Sequence, residues 1–133
     1  MYPLVERDEA SAEFFDAAKR GELQMKRAQS GEVLAPHTRT DPNGDSAPLQ
    51  PVNVSGDGTL VSWAVVHQAP HPALAGAVPY MSALVELAEG PWLIVRLLGD
   101  SARLSAGARV RARFEPTGSD EEVGEVVPVF ELI

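Results

Sequence analysis

Tyr80-Met-Ser-Ala-Leu-Val-Glu-Leu87, then Glu89-Gly90-Pro91, then Trp92-Leu-Ile-Val-Arg-Leu-Leu98 is the stretch whose reading decides the fold. Met81, Ala83, Val85 and Leu87 point one way, and Ser82 and Glu86 the other, which is the period-two pattern of a half-buried strand. Gly-Pro is turn chemistry, so a second strand follows at once. Toward the C-terminus, a Gly99-to-Gly107 connection leads to Arg109–Phe114, where Val110, Ala112 and Phe114 alternate with Arg109, Arg111 and Arg113. The acidic turn Asp120-Glu121-Glu122 then leads to a last strand over Val126–Leu132. Toward the N-terminus, Val52-Asn-Val54 and Gly58–His67 are strand-like around the turn Gly56-Asp57-Gly58. Short strands joined by turns and one long loop, Gln68–Pro79, predict a small, closed or nearly closed antiparallel barrel over residues 51–133; the OB type is the natural candidate, and the pattern alone does not separate it from other small barrels or a sandwich.

Two different textures precede the barrel. Residues 8–20 predict a helix: Asp8 is a good N-cap, Glu9 and Glu13 lie near the positive end of its dipole, Lys19 and Arg20 near the negative end, and Gly21 stops it. Ala10, Phe14, Ala17 and Ala18 share a face, with Phe15 about 100° further round. The two phenylalanines need cover, which either their own barrel or a partner subunit supplies. Residues 22–50 are rich in turn formers, Pro42 and Asn43-Gly44 among them; apart from a short strand at Leu23–Lys26 they read as loop.

Composition narrows the function. The chain has 133 residues, 44% of them apolar, which suffices for a core. Its net charge is −8, and both halves are acidic, so nucleic acid is a poor partner. No apolar run is long enough to span a membrane, and the N-terminus shows no secretion signal, so a cytoplasmic protein is expected. The absence of cysteine removes disulfides, thiol nucleophiles and cysteine metal sites.

No catalytic set emerges. His37, His67 and His71 sit in no hydrolase or metalloprotease pattern, and Pro70 and Pro72 keep His67 and His71 off a common helix. Arg109, Arg111 and Arg113 share one face of one strand. They are either an outward stripe paired with nearby acids or a contact for an acidic partner or a phosphate-bearing ligand, such as the nucleotide end of coenzyme A. Loops on rigid scaffolds carry contacts, and Leu74, Val78 and Tyr80 give the 68–79 loop an interface-like end.

The order of parts is also informative. Glu13-Phe-Phe-Asp-Ala-Ala-Lys-Arg-Gly-Glu-Leu23 is followed by Lys26-Arg27 and a turn-rich stretch. Then come Val54-Ser-Gly-Asp-Gly-Thr-Leu-Val-Ser-Trp-Ala-Val-Val-His67 and Val78-Pro-Tyr-Met-Ser-Ala-Leu-Val-Glu-Leu-Ala-Glu-Gly90. This resembles the acyl-CoA-associated OB-fold proteins that carry a small rubredoxin-like zinc ribbon before the barrel. The resemblance implies a non-catalytic accessory subunit of a thiolase-superfamily enzyme, of the kind that cleaves steroid acyl-CoA esters by a retro-aldol step, in a hetero-oligomer whose partner holds most of the CoA ester. The other readings are an accessory subunit of a MaoC-type enoyl-CoA hydratase and a free-standing acyl-CoA binder.

Under the thiolase reading, Phe14, Phe15, Leu74, Val78 and Tyr80 would meet the partner. His67, Pro70, His71 and Pro72 would lie near its active-site entrance, and Arg109, Arg111 and Arg113 are the candidate CoA phosphate contacts. One departure is large. The ribbon's two Cys-x-x-Cys pairs fall on Ala28, Gly31, Asp41 and Gly44, so residues 22–50 form a degenerate ribbon for which no zinc is expected. Having lost its metal, that segment must pack on the barrel or a partner, or move.

Overall fold

A computed structural model describes residues 2–44 and 46–133. The strands that follow the small N-terminal part close into a barrel. They are β4 (Asp57–Val66), β5 (Tyr80–Leu87), β6 (Trp92–Leu98), β7 (Arg109–Gly118) and β8 (Val123–Leu132), ordered β4-β5-β6-β8-β7 around the ring. This is the expected OB-type barrel, with one refinement. Four pairings are antiparallel, but β6 and β8 run parallel, with Leu97 opposite Phe130 and Leu98 opposite Glu131. The cause is connectivity: β7 and β8 form a hairpin, and β8 is the member inserted beside β6.

Closure depends on a tight crossing at the start of β4, where Gly58 pairs with Leu87 on one side and Val110 on the other. A Cβ at Gly58 would stand 2.7 Å from the Glu86 carbonyl oxygen, so the residue must be glycine. Further along, the β4–β5 register shifts between Leu60 and Ser62, and the bulge bends the long hairpin over the barrel.

The helix α1 spans Ala12–Lys19, shorter than the expected 8–20. Asp8 is not its N-cap. The Asp8 carboxylate accepts hydrogen bonds from the Ser11 N–H (2.8 Å) and Ser11 Oγ (2.7 Å), closing a turn one step earlier. Those bonds hold the Asp8 carboxyl below its usual pKa and occupy the hydroxyl of Ser11, which stands at the cap without capping. The far end follows the expectation. Gly21 (φ 77°) donates to the Ala18 carbonyl and Glu22 to that of Ala17, which is the Schellman pattern.

The stretch 22–50 contains more structure than its composition suggests. β1 (Leu23–Arg27) is central in a three-stranded sheet, flanked by β2 (Val33–Leu34) and β3 (Gln50–Val54). Val52-Asn-Val54 is indeed a strand, but it pairs with β1, from Leu23 opposite Val54 to Arg27 opposite Gln50. Leu23 and Met25 are fully buried and join Leu60, Met81, Val85, Leu97, Val110 and Phe130 in one core. Of the outcomes left open for this segment, the structure shows the first: it packs on the barrel.

Candidate interaction site

Two tight turns shape the outer end of the small sheet. In one, the Gly31 N–H donates to the Ala28 carbonyl (2.9 Å), and in the other the Gly44 N–H donates to that of Asp41 (3.1 Å). Both glycines have positive φ (94° and 81°), which a side chain would strain. Asp41 is buried and its carboxylate accepts from the Asn43 N–H (2.9 Å). The Asn43 amide then donates to the Glu32 carboxylate (3.0 Å), linking one turn to the other. Thus the four positions that would carry zinc ligands keep knuckle-like turns around Ala28, Gly31, Asp41 and Gly44. Two glycines, an alanine and one carboxylate do not make a zinc donor set. Among the described residues no three His, Asp or Glu side chains gather as a metal site, His37, His67 and His71 included.

Phe14 and Phe15 meet edge to face, with ring centroids 5.5 Å apart. Neither is exposed, and Phe14 packs against the core. In the loop between β4 and β5, His67, Pro70, His71 and Pro72 are exposed. Leu74, Val78 and Tyr80 are half-buried at its return; Pro72–Leu74 is a 3-10 turn and the Val78–Pro79 peptide is cis.

The three arginines of β7 are exposed on one side of the strand, as alternation predicted. Two face acids. Arg113 pairs with Glu115 and, through Nη1, with Glu131 (3.3 Å); Arg111 Nε is 3.8 Å from Asp57 Oδ1. Glu115 and then Glu131 raise the pKa of the Arg113 guanidinium.

Two features were not anticipated. The large apolar side chains left most open include Ile94 (80% exposed) and Trp92 (52%), both on the outward face of β6. Trp92 Nε1–H donates to the Glu86 carboxylate (2.8 Å). The run Trp92-Leu-Ile-Val carried the signal: a strand apolar on both faces must bury both or leave one open. The second is Arg96, whose guanidinium carbon lies 4.7 Å from the Tyr2 ring centroid and 5.3 Å from that of Tyr80. Pairing between β5 and β6 brings Tyr80 and Arg96 to neighbouring outward positions, an arrangement visible only once the register is known.

A short helix, a ribbon-shaped sheet and an OB barrel, in that order, define the class of acyl-CoA-associated OB-fold proteins. Residues 51–115 match the ChsH2 C-terminal OB-fold domain. The chain aligns with a solved chain of the "Ltp2-ChsH2(DUF35) aldolase" over 98% of both, with a TM-score of 0.75 and 32% identity. It belongs to this ChsH2 (DUF35) OB-fold family.

Among curated relatives, it is 38% identical over 115 residues to the alpha subunit of the 3-oxo-4,17-pregnadiene-20-carboxyl-CoA hydratase of Mycobacterium tuberculosis (86% of this chain, 36% of the relative). It is 37% identical over 98 residues to a probable enoyl-CoA hydratase alpha subunit of Thermomonospora curvata (73% of this chain, 30% of the relative). The chain therefore spans about a third of the length of these relatives. A DUF35-family structure of unknown function from Sulfolobus solfataricus, 12% identical with a TM-score of 0.59, shares the fold.

Proposed function

We propose that this chain is a non-catalytic accessory subunit of a thiolase-superfamily enzyme that acts on an acyl-CoA, a retro-aldol cleavage in steroid side-chain breakdown being the reaction in view. The observation that carries this reading is the alignment, over nearly the whole of both chains, with the DUF35 chain of an aldolase complex. One structural feature supports it: the exposed apolar residues Trp92 and Ile94 give a partner surface to cover. The partner supplies the catalytic groups and holds most of the CoA ester. Leu74, Val78 and Tyr80, with Phe14 and Phe15, are the proposed partner contacts, and His67, Pro70, His71 and Pro72 border its active-site entrance. The assembly is a cytoplasmic hetero-oligomer, and this subunit works without zinc because its knuckle turns are tied by hydrogen bonds.

The test is co-expression with a candidate thiolase-like subunit, followed by size-exclusion chromatography and an acyl-CoA cleavage assay. Co-elution, with cleavage that requires this chain, is the expected result. Separate elution with unchanged cleavage would overturn it. The identities of 38% and 37% to hydratase alpha subunits favour a second reading, an accessory domain of a hydratase. Co-elution with a MaoC-type subunit and a gain in hydration activity would select that one.

A further inference from the structure

Among the described residues, Arg96 is the one arginine that is not exposed. It sits on β6 over two tyrosine rings, Tyr80 from β5 and Tyr2 from the N-terminal segment. Rings beneath a guanidinium fix its position by attraction to their faces and leave its N–H donors free for a planar acceptor. Among the described residues no hydrogen bond or ion pair uses those donors. Arg7, Arg20, Arg111 and Arg113 face carboxylates, and the remaining arginines, Arg27, Arg39, Arg103 and Arg109, are exposed. Asp100, the acid nearest in sequence, is turned to its own short helix, where Oδ1 accepts from the Ala102 N–H (2.9 Å).

Arg96 also lines a cleft of about 280 Å³ at the mouth between β4, β5 and β6. Val65, Met81 and Leu97 are among its apolar lining residues, and Tyr80 and Ser101 line it as well. This volume is at the low end for ligand clefts, so it suits one end of a molecule. A half-buried, pre-positioned cation with unused donors beside apolar residues has the chemistry to receive an oxyanion. The guanidinium fork matches phosphate oxygens in a bidentate manner.

We propose that the Arg96 cleft binds the phosphate group of a phosphorylated small molecule, with Tyr2 and Tyr80 as positioning residues. The cleft has room for a phosphate and part of its carrier beside Val65, Met81 and Leu97, which favours a small ligand over a lone carboxylate on the surface of a partner protein. The inference goes beyond the accessory-subunit reading, and its test uses the full chain alone, so it can fail while co-elution succeeds, or the reverse.

The test is a titration of the 15N-labelled chain with inorganic pyrophosphate, followed through the arginine Nε–H resonances. The Arg96 signal is expected to shift saturably, and that of Arg20, which is paired with Glu22, is not. Arg96→Gln should abolish binding, whereas Arg20→Gln should leave it unchanged. Arg96→Lys keeps a charge but loses the fork, and should weaken binding. Tyr80→Leu should weaken it about two- to fivefold, the loss expected for one cation–ring contact. ADP and coenzyme A, titrated in place of pyrophosphate, show whether the carrier adds affinity through the apolar wall. An Arg96 signal that does not saturate, or binding that survives Arg96→Gln, would overturn the proposal. So would a carboxylate peptide that binds more tightly than pyrophosphate, and that result would make the cleft a protein contact.

Discussion

Every strand of the barrel has a neighbour on both sides, since β4 pairs with β5 and also with β7, whereas the small sheet before it ends in two open edges, β2 and β3. The barrel is held by continuous pairing around a packed interior. The small sheet has no ring to close, and its turns carry none of the cysteines that would bind a metal in a ribbon. It is nevertheless built to the same plan, because two substitutes act together. Leu23 and Met25 reach from β1 into the barrel core, and the Asp41, Asn43 and Glu32 side chains tie the turns. The difference teaches that turn geometry and metal coordination are separable. The backbone bends of a ribbon persist where glycine supplies positive φ and hydrogen bonds supply the link.

The hardest way to break this comparison is at Met25, which is fully buried in the shared core. Met25→Ala should cost about 2–5 kcal/mol, the range for truncating a buried long side chain. If the small sheet and the barrel are one cooperative unit, thermal unfolding of the variant stays a single transition at lower temperature, in both far-ultraviolet dichroism and tryptophan fluorescence. Both tryptophans, Trp63 and Trp92, lie in the barrel. Fluorescence that melts at the wild-type temperature would show that the sheet unfolds by itself.

Gly58→Ala is the corresponding change on the barrel side. Its Cβ would meet the Glu86 carbonyl at the point where β4 bridges β5 and β7, and backbone does not yield as a side chain does. About 1–3 kcal/mol should be lost, as for other overpacked sites, with a denaturant midpoint well below that of wild type. An unchanged midpoint would mean that the crossing is looser than described.

The two regions were not equally legible in the sequence. β5 announces itself through strict alternation, and Gly-Pro marks its turn, because one face of the strand is core and the other is not. The small sheet gives that signal only in part: Leu23–Lys26 and Val52–Val54 read as strands, but not as partners. β2 has two residues, too few for a period, and β3 finds its partner β1 more than twenty residues away. Pairing of that kind is decided by tertiary packing. The helix start failed for a local reason: Asp8 has cap chemistry, but it closes a turn with Ser11 instead. The candidate site divides in the same way. The β7 arginines were readable from alternation, but their pairing with Asp57, Glu115 and Glu131 needed the strand register. Arg96 gave no sequence signal, since its two tyrosines come from a terminal segment and a neighbouring strand.

A smaller effect sharpens the account of the turns. Asn43→Ala removes the amide that reaches Glu32 but leaves both glycines in place. About 1 kcal/mol should be lost, as for a typical side-chain hydrogen bond, with faster amide exchange confined to residues near 28–32 and 41–44. Dialysis of the wild-type chain against a strong chelator should leave its Tm unchanged, and elemental analysis should find no stoichiometric zinc. A drop of several degrees on chelation would show that metal, and not this hydrogen-bond bridge, holds the turns.

The smallest effect tests the junction where the N-terminal part meets the barrel. Arg7 pairs with Glu125 on β8 (2.6 Å) and with Asp16 on α1 (2.8 Å), so one guanidinium ties helix to barrel. The bond from Arg7 holds the Glu125 carboxyl below its ordinary pKa, against a smaller opposing effect of burial. A carboxylate whose pKa is depressed on folding adds stability that is complete above its unfolded pKa and fades as pH falls through the folded value. Glu125→Gln should therefore be slightly less stable than wild type at neutral pH, and the gap should close on acidification below the ordinary carboxylate range, about pH 4. The pair lies at the surface and is screened, so the gap should also shrink in high salt. Paired unfolding curves at pH 7 and pH 3 measure this directly. A gap that stays constant with pH would assign the cost to altered packing at Glu125, and the tie between helix and barrel would then rest on α1 packing alone.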